Sequence, residues 1–166
     1  MIEAKIRQYE ECDRAQCRRL WRELTEWHRE IYREPTIGGE TPEDAFDEHL
    51  AKVGPNNLWV AVHESRIIGL VGMIAEEKEA EVEPVIVSAA YRGRGIGQQL
   101  ITTIIAVAQK RGYRFLNVKP VARNEAAIRF FYNQGFHTLG HVQLFIDFSG
   151  GSWRPGLELF GYDFSY

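Results

Sequence analysis

Polar and apolar residues alternate over residues 2 to 9, with Ile2, Ala4 and Ile6 set against Glu3, Lys5 and Arg7, the period of a strand with one wetted face. From about 11 to 33 the period changes: Leu20, Leu24, Trp27 and Ile31 recur at helical spacing until Pro35 stops the run. Thr41-Pro42-Glu43-Asp44 reads as an N-cap with proline in the first turn, which predicts a second helix to about residue 53, ended by Gly54-Pro55-Asn56-Asn57. Two β-rich runs follow, 58 to 63 and 67 to 75, joined as a hairpin by Glu64-Ser65-Arg66, and a third run, 80 to 88, pairs next. Ile96, Leu100, Ile101, Ile104, Ile105 and Ala108 line one face of a helix that closes at Lys110-Arg111-Gly112. Residues 115 to 118 predict a short buried strand, Asn124 can cap a helix to about 134, and 136 to 148 predict a final long strand or strand pair. Strands first, then alternating helix and strand, is a mixed α/β (α+β) layout.

The junction between the third β-run and the long helix carries the chemistry. It reads VEPVIVSAAYRGRGIG from Val82 to Gly97, an apolar strand entering a glycine-rich turn with two arginines. Gly93, Gly95 and Gly97 allow a tight turn and close approach of a ligand, and the following helix offers unpaired N–H groups at the positive end of its dipole. Arg92 and Arg94 add charge, so the turn reads as a phosphate cradle. The spacing decides which kind. A dinucleotide fingerprint would need a third glycine where Gln98 or Leu100 stands, and a nucleotide-triphosphate loop would need Lys-Ser/Thr where Gln98-Gln99 stands.

What does match is Arg-x-x-Gly-x-Gly at Arg92, Gly95 and Gly97, which resembles the coenzyme A pyrophosphate loop of the GNAT N-acetyltransferase superfamily. Downstream, ARNEAAIRFFYNQGF from Ala122 to Phe136 resembles that family's second signature, with Asn124, Ala127 and the closing Gly135-Phe136 in the expected order. The likeness covers residues 57 to 148, and the N-terminal third matches only in its pattern of elements. The resemblance implies a mostly antiparallel central sheet flanked by helices, acetyl-coenzyme A as cosubstrate, and acetyl transfer to a primary amine by direct attack in a ternary complex. It implies cofactor contacts from the main chain of Arg92, Gly93, Arg94, Gly95, Ile96 and Gly97, from Asn124 and Ala127, and from Val85 N–H toward the acetyl carbonyl with Val87 toward the pantetheine arm. A main-chain donor makes no demand on the side chain, so plain valines suffice.

Transfer to an amine also needs a base, because an alkylammonium of pKa about 10.4 is almost wholly protonated at neutrality. Strand alternation puts Glu81 and Glu83 on one face with Val85 and Val87; Glu83 lies nearer the carbonyl position, and Glu81 fits the base of some relatives. An equally open reading makes Glu76, Glu77, Glu79, Glu81 and Glu83 a solvated acidic hairpin that attracts cationic amines. Many relatives carry a tyrosine four residues before the final glycine-phenylalanine pair to protonate the leaving thiolate. Phe131 stands there, with Tyr132 about 100° further round the helix. Either Tyr132 reaches the sulfur, another group or water serves, or the thiolate, of pKa about 8.5, leaves unaided while Phe131 packs on the cofactor arm. Trp21, Thr25, His28 and Tyr32 form a second face of the first helix, either simple packing or part of an acceptor surface.

Composition narrows the rivals. With 166 residues, 45% hydrophobic, and no linker or composition shift, the chain reads as one domain, 1 to 166. A net charge of −3 offers no global basic field, so nucleic-acid binding through Arg92, Arg94, Lys110, Arg111 and Arg114 is the weaker idea, and a coenzyme A-binding module without transfer is the main alternative. No metal spacing and no spanning segment is present; a cytoplasmic location follows by default, with Cys12 and Cys17 as free thiols. The tail, 149 to 166, is too apolar to be free: it packs as an extra strand on its own subunit or pairs across a homodimer interface.

Overall fold

β1 (Lys5–Gln8) is shorter than the alternation suggests, and the computed structural model describes residues 3–148 and 150–166, so Ile2 and Ser149 lie outside the described residues. A 3-10 turn leads into α1 (Arg14–Tyr32), which ends on Arg33 in the left-handed region. α2 (Asp44–Val53) has Glu43 at its N-cap position, two residues after the predicted Thr41, with no side-chain cap hydrogen bond. β2 (Leu58–His63), β3 (Arg66–Ala75) and β4 (Glu79–Val87) form antiparallel neighbours, α3 (Ile96–Lys110) follows, and β5 (Phe115–Asn117) adds to β4 in parallel. The sheet order is β1-β2-β3-β4-β5. β5 is short but not buried as expected, since Phe115 faces solvent.

The chain divides into two compact units, Met1–Lys119 and Pro120–Tyr166. In the first, α1 and α2 cover one face of the sheet: Cys17, Leu20 and Phe46 pack on Leu58, Val60, Leu70 and Ile86. α3 covers the other, its Ile96 and Leu100 lying against Gly69. Arg18 bridges to Asp44 and Asp47, and Arg22 to Glu43, which fastens α1 to α2 outside the core. Asp13, buried at the start of α1, takes both guanidinium nitrogens of Arg7 at 2.6 and 2.8 Å and the Glu10 N–H at 2.9 Å.

The β3–β4 register contains the feature that shapes the site. Val71 pairs with Val85 but Met73 pairs with Val82, so Glu83 and Pro84 together stand opposite Gly72. A β-bulge of this kind inserts one residue and turns the strand. Gly72 is obligatory for it: an added Cβ would sit 2.3 Å from the Glu83 carbonyl oxygen and 2.9 Å from Leu58 Cδ2.

In the second unit, α4 (Glu125–Asn133) is capped by Asn124, whose side-chain oxygen accepts the Ala127 N–H at 3.1 Å. The strand or strand pair expected over 136 to 148 is absent: residues 137 to 148 join no ladder, because alternation sets an apolar face but only a paired backbone makes a strand. The tail does not supply one extra strand either. β6 (Pro155–Leu159) and β7 (Tyr162–Ser165) pair with each other as a separate hairpin.

Candidate active site

β5 pairs with β4 only from Glu79 to Glu81, so from Val82 onward β4 has no neighbour on that side among the described residues. This open edge presents main-chain donors. Ser88 N–H donates to the Ile68 carbonyl of β3 at 2.9 Å. Alternation along the strand therefore turns the N–H groups of Val85 and Val87 away from β3, toward the open side. Arg92 Nε reaches the Val87 carbonyl from that side at 3.1 Å.

Immediately beyond, the glycine turn folds into a helix start. Gly93 has φ 72° and Gly95, the N-cap of α3, φ 87°, the left-handed region that favours glycine. Gln99 N–H closes the first turn on the Gly95 carbonyl at 3.1 Å, and the amides ahead of it are the orphan donors of a helix N-terminus. Ile96, buried in the core, anchors the turn, and space is open above Gly93, where an added Cβ meets nothing within 4 Å. Arg94 lies over the Tyr91 ring at 5.7 Å, whereas Arg92 turns back over Trp27 of α1 at 5.1 Å.

The glutamates are arranged differently from the simple alternation. The extra residue at the bulge flips the parity: Val85 and Val87 pair with Val71 and Gly69 on the α3 face, while Glu81 pairs with Ile74 on the α1–α2 face. Glu81 and the two valines therefore do not share a face, a correction that follows from the inserted residue. Glu81 is ion-paired with Lys119, which that hydrogen bond holds above the ordinary lysine range, and Glu79 accepts from the Asn117 side chain at 2.6 Å. Glu83 is exposed at the bulge itself. The five glutamates are thus not one solvated hairpin, since two of them are held by β5 and the residues after it.

Near the bulge, on the α1–α2 face, His49 is buried against Trp21 with ring centroids 5.1 Å apart, and its Nε2 has no hydrogen-bond partner among the described residues. Burial, then Lys52, holds its pKa below the ordinary imidazole range, and the nearby Glu83 main chain acts weakly in the other direction. Of the proposed acceptor face, Thr25 is buried and donates to the Trp21 carbonyl, and His28, depressed by burial, stacks edge-on to Tyr32.

In the second unit Asn124 and Ala127 form the cap of α4. Phe131 packs against Phe130 and Phe136, with centroids at 5.2 and 5.7 Å. Tyr132 is 59% exposed, with His137 against its ring at 4.5 Å. Two residues at the site belong to neither sequence motif: Glu23, which bonds to the strand–loop junction, and Lys119. Glu23 had a signal, since Leu20, Glu23, Leu24 and Trp27 follow i, i+3, i+4, i+7, which places a carboxylate on the apolar stripe.

The Acetyltransferase (GNAT) family model matches residues 21–136. The chain belongs to the GNAT acetyltransferase family. N-acetyltransferase 8 of Rattus norvegicus is 26% identical over 103 residues, 58% of this chain and 46% of that protein. N-alpha-acetyltransferase RimI of Mycobacterium tuberculosis is 30% identical over 114 residues, 66% of this chain and 69% of that one. The chain thus spans less than half of the rat relative. Among solved structures, the paia N-acetyltransferase from Thermoplasma acidophilum in complex with coenzyme A aligns with TM-score 0.68 and 19% identity over 81% of this chain and 89% of that one. A transcriptional regulator from Bacillus halodurans aligns with TM-score 0.65 and 25% identity over 88% and 100%. The mixed, mostly antiparallel sheet flanked by helices is the GNAT fold. No helix is long and apolar enough to cross a membrane, and no group of three metal-ligating side chains stands together among the described residues.

Proposed function

We propose that this chain transfers the acetyl group of acetyl-coenzyme A to a primary amine, by direct attack in a ternary complex. The observation that carries the reading is the continuity of two main-chain features: the open β4 edge, with Val85 and Val87 N–H directed outward, runs straight into the glycine turn and the N-terminus of α3. An extended pantetheine arm would add to that edge as a strand, and the pyrophosphate would take the orphan amides between Arg92 and Gly97. Arg94 adds charge beside it.

The Val85 N–H then donates to the thioester oxygen, where negative charge develops as the amine attacks the carbonyl carbon. The amine must lose a proton. Glu83 is the better base, because Glu81 is committed to Lys119. With Glu81 and the α1–α2 helices on one face, and α3 on the other, the acceptor amine and the cofactor approach the open edge from opposite sides. The C–S bond breaks with the electron pair passing to sulfur, and the resulting thiolate, of pKa about 8.5, leaves as such or takes a proton from water or from a side chain such as Tyr132. The free thiols of Cys12 and Cys17 agree with a reducing, cytoplasmic setting, and Phe160 and Tyr162 on the exposed hairpin suit a homodimer contact.

Release of coenzyme A thiol across a panel of small amines and peptides with free N-termini is the test. Turnover with one amine class, reduced at least tenfold in Glu83→Gln, supports the reading. Coenzyme A binding without turnover on any amine would assign the chain to non-catalytic binding instead.

A further inference from the structure

We infer that Glu23 and Trp27 of α1 are positioning residues for the cofactor loop, acting on it from a helix that does not belong to the loop motif. The inference rests on the acetyl-coenzyme A reading of that loop. Glu23 divides its carboxylate between two groups of the β4–α3 link: one oxygen accepts the Ser88 hydroxyl at 3.2 Å and the other the Ala89 N–H at 3.0 Å. One helical turn later Trp27 lies under the Arg92 guanidinium at 5.1 Å, while Arg92 Nε holds the Val87 carbonyl at 3.1 Å. The connection from Val87 to Arg92 is therefore bracketed along its length by positions i and i+4 of one helix. Its far end is fixed separately by Ile96 and Leu100, both buried.

Charge makes the placement informative. A carboxylate beside a loop that receives phosphates is repulsive, and Glu23 forms no ion pair among the described residues. Such a group is tolerated only if its hydrogen bonds accomplish something that outweighs the repulsion. What they accomplish is to hold the first residues of the loop before the ligand arrives, so that the amides between Arg92 and Gly97 need no ordering on binding. The same contacts tie the loop to the helix whose Trp21, Thr25, His28 and Tyr32 form the proposed acceptor face.

Two accounts of Glu23 predict opposite signs. If it positions the loop, Glu23→Ala weakens coenzyme A binding about tenfold, the effect of losing a charge-assisted hydrogen bond. Glu23→Gln, which keeps one acceptor oxygen and the shape, recovers most of that loss. Trp27→Leu weakens binding and Trp27→Phe does so less. If Glu23 is only a nearby negative charge, both Glu23 variants bind more tightly, and the gain vanishes in high salt. Calorimetric titration of coenzyme A into the four folded variants and the native chain, at low and high salt, separates these outcomes. Binding by Glu23→Ala at native strength or tighter overturns the positioning role. Failure of the native chain to bind coenzyme A overturns the cofactor reading and this inference with it. Should Glu23→Ala not fold, the Glu23→Gln and Trp27→Leu titrations decide by the same signs.

Discussion

Replacing Gly72 by alanine perturbs the bulge that opens the site by pressing on the main chain of Glu83, the proposed base, while removing no side chain assigned to chemistry. The new Cβ would stand 2.3 Å from the Glu83 carbonyl oxygen, 2.9 Å from Leu58 Cδ2 and 3.2 Å from the Glu83 carbonyl carbon. Two of these contacts are with main chain, so no side-chain rotation relieves them, and β4 must move away from β3. Overpacking of this kind costs about 1–3 kcal/mol, and rigid neighbours put Gly72→Ala near the upper figure. For a chain of this size each kcal/mol lowers Tm by about 2–4 °C, so thermal unfolding should fall by about 6–12 °C. Displacing the bulge also misaligns the Val85 N–H, so the folded variant should bind coenzyme A more weakly. Gly93→Ala is the comparison, because its Cβ meets nothing within 4 Å and only the left-handed backbone, at about 1–2 kcal/mol, resists it. A Gly72→Ala protein with native Tm and native coenzyme A affinity would refute the reasoning.

Other expectations concern the scaffold. Burial pulls the Asp13 pKa upward, but the Arg7 hydrogen bonds and the Glu10 N–H outweigh it and leave the carboxyl below the ordinary aspartate value. Its contribution is therefore present above about pH 4 and lost as pH falls through the lower folded value, so urea titrations should show a loss of stability on acidification in the native chain that Asp13→Asn lacks. His49→Leu removes a buried Nε2 that has no partner among the described residues together with the ring's contact to the Glu83 main chain, and should leave stability equal or raised; a fall of several degrees in Tm would mean that the contact to Glu83 outweighs the unpaired nitrogen. Asn124→Ala deletes the cap on Ala127 N–H and should cost about 1 kcal/mol in the stability of α4, visible as faster amide exchange over 125 to 133, with Asn124→Asp retaining protection.

Much of this architecture was legible where a single interaction dominates. Leu58–His63 is legible to the residue, because a continuous apolar run between Asn57 and Glu64 leaves a strand no other boundary. Ile96, Leu100, Ile101, Ile104 and Ala108 form the buried face of α3 as their spacing demands. The glycine turn was legible because φ values of 72° and 87° have few other tenants. Features set by pairing between distant segments were not. The bulge depends on Gly72 leaving room for the Glu83 carbonyl, a relation between two strands, and without it the parity of Glu81 relative to Val85 comes out reversed. Residues 136 to 148 carry strand-like alternation but join no ladder, and the tail folds on itself through a turn at Phe160-Gly161. Glu23 lay within reach of the helical pattern, yet a lone carboxylate on an apolar stripe reveals its importance only when Ser88 and Ala89 are seen against it.

The central claim is that the turn from Arg92 to Gly97 receives the pyrophosphate of acetyl-coenzyme A at the N-terminus of α3. Its most direct test is calorimetric titration of acetyl-coenzyme A into the native chain and into Gly95→Glu, with folding of the variant checked by circular dichroism. Gly95 is the left-handed N-cap, and a glutamate there both strains the turn and places a negative charge in the cradle. Saturable binding by the native chain that disappears in a folded Gly95→Glu is the predicted result. Equal binding by both proteins, or none by the native chain, would contradict it.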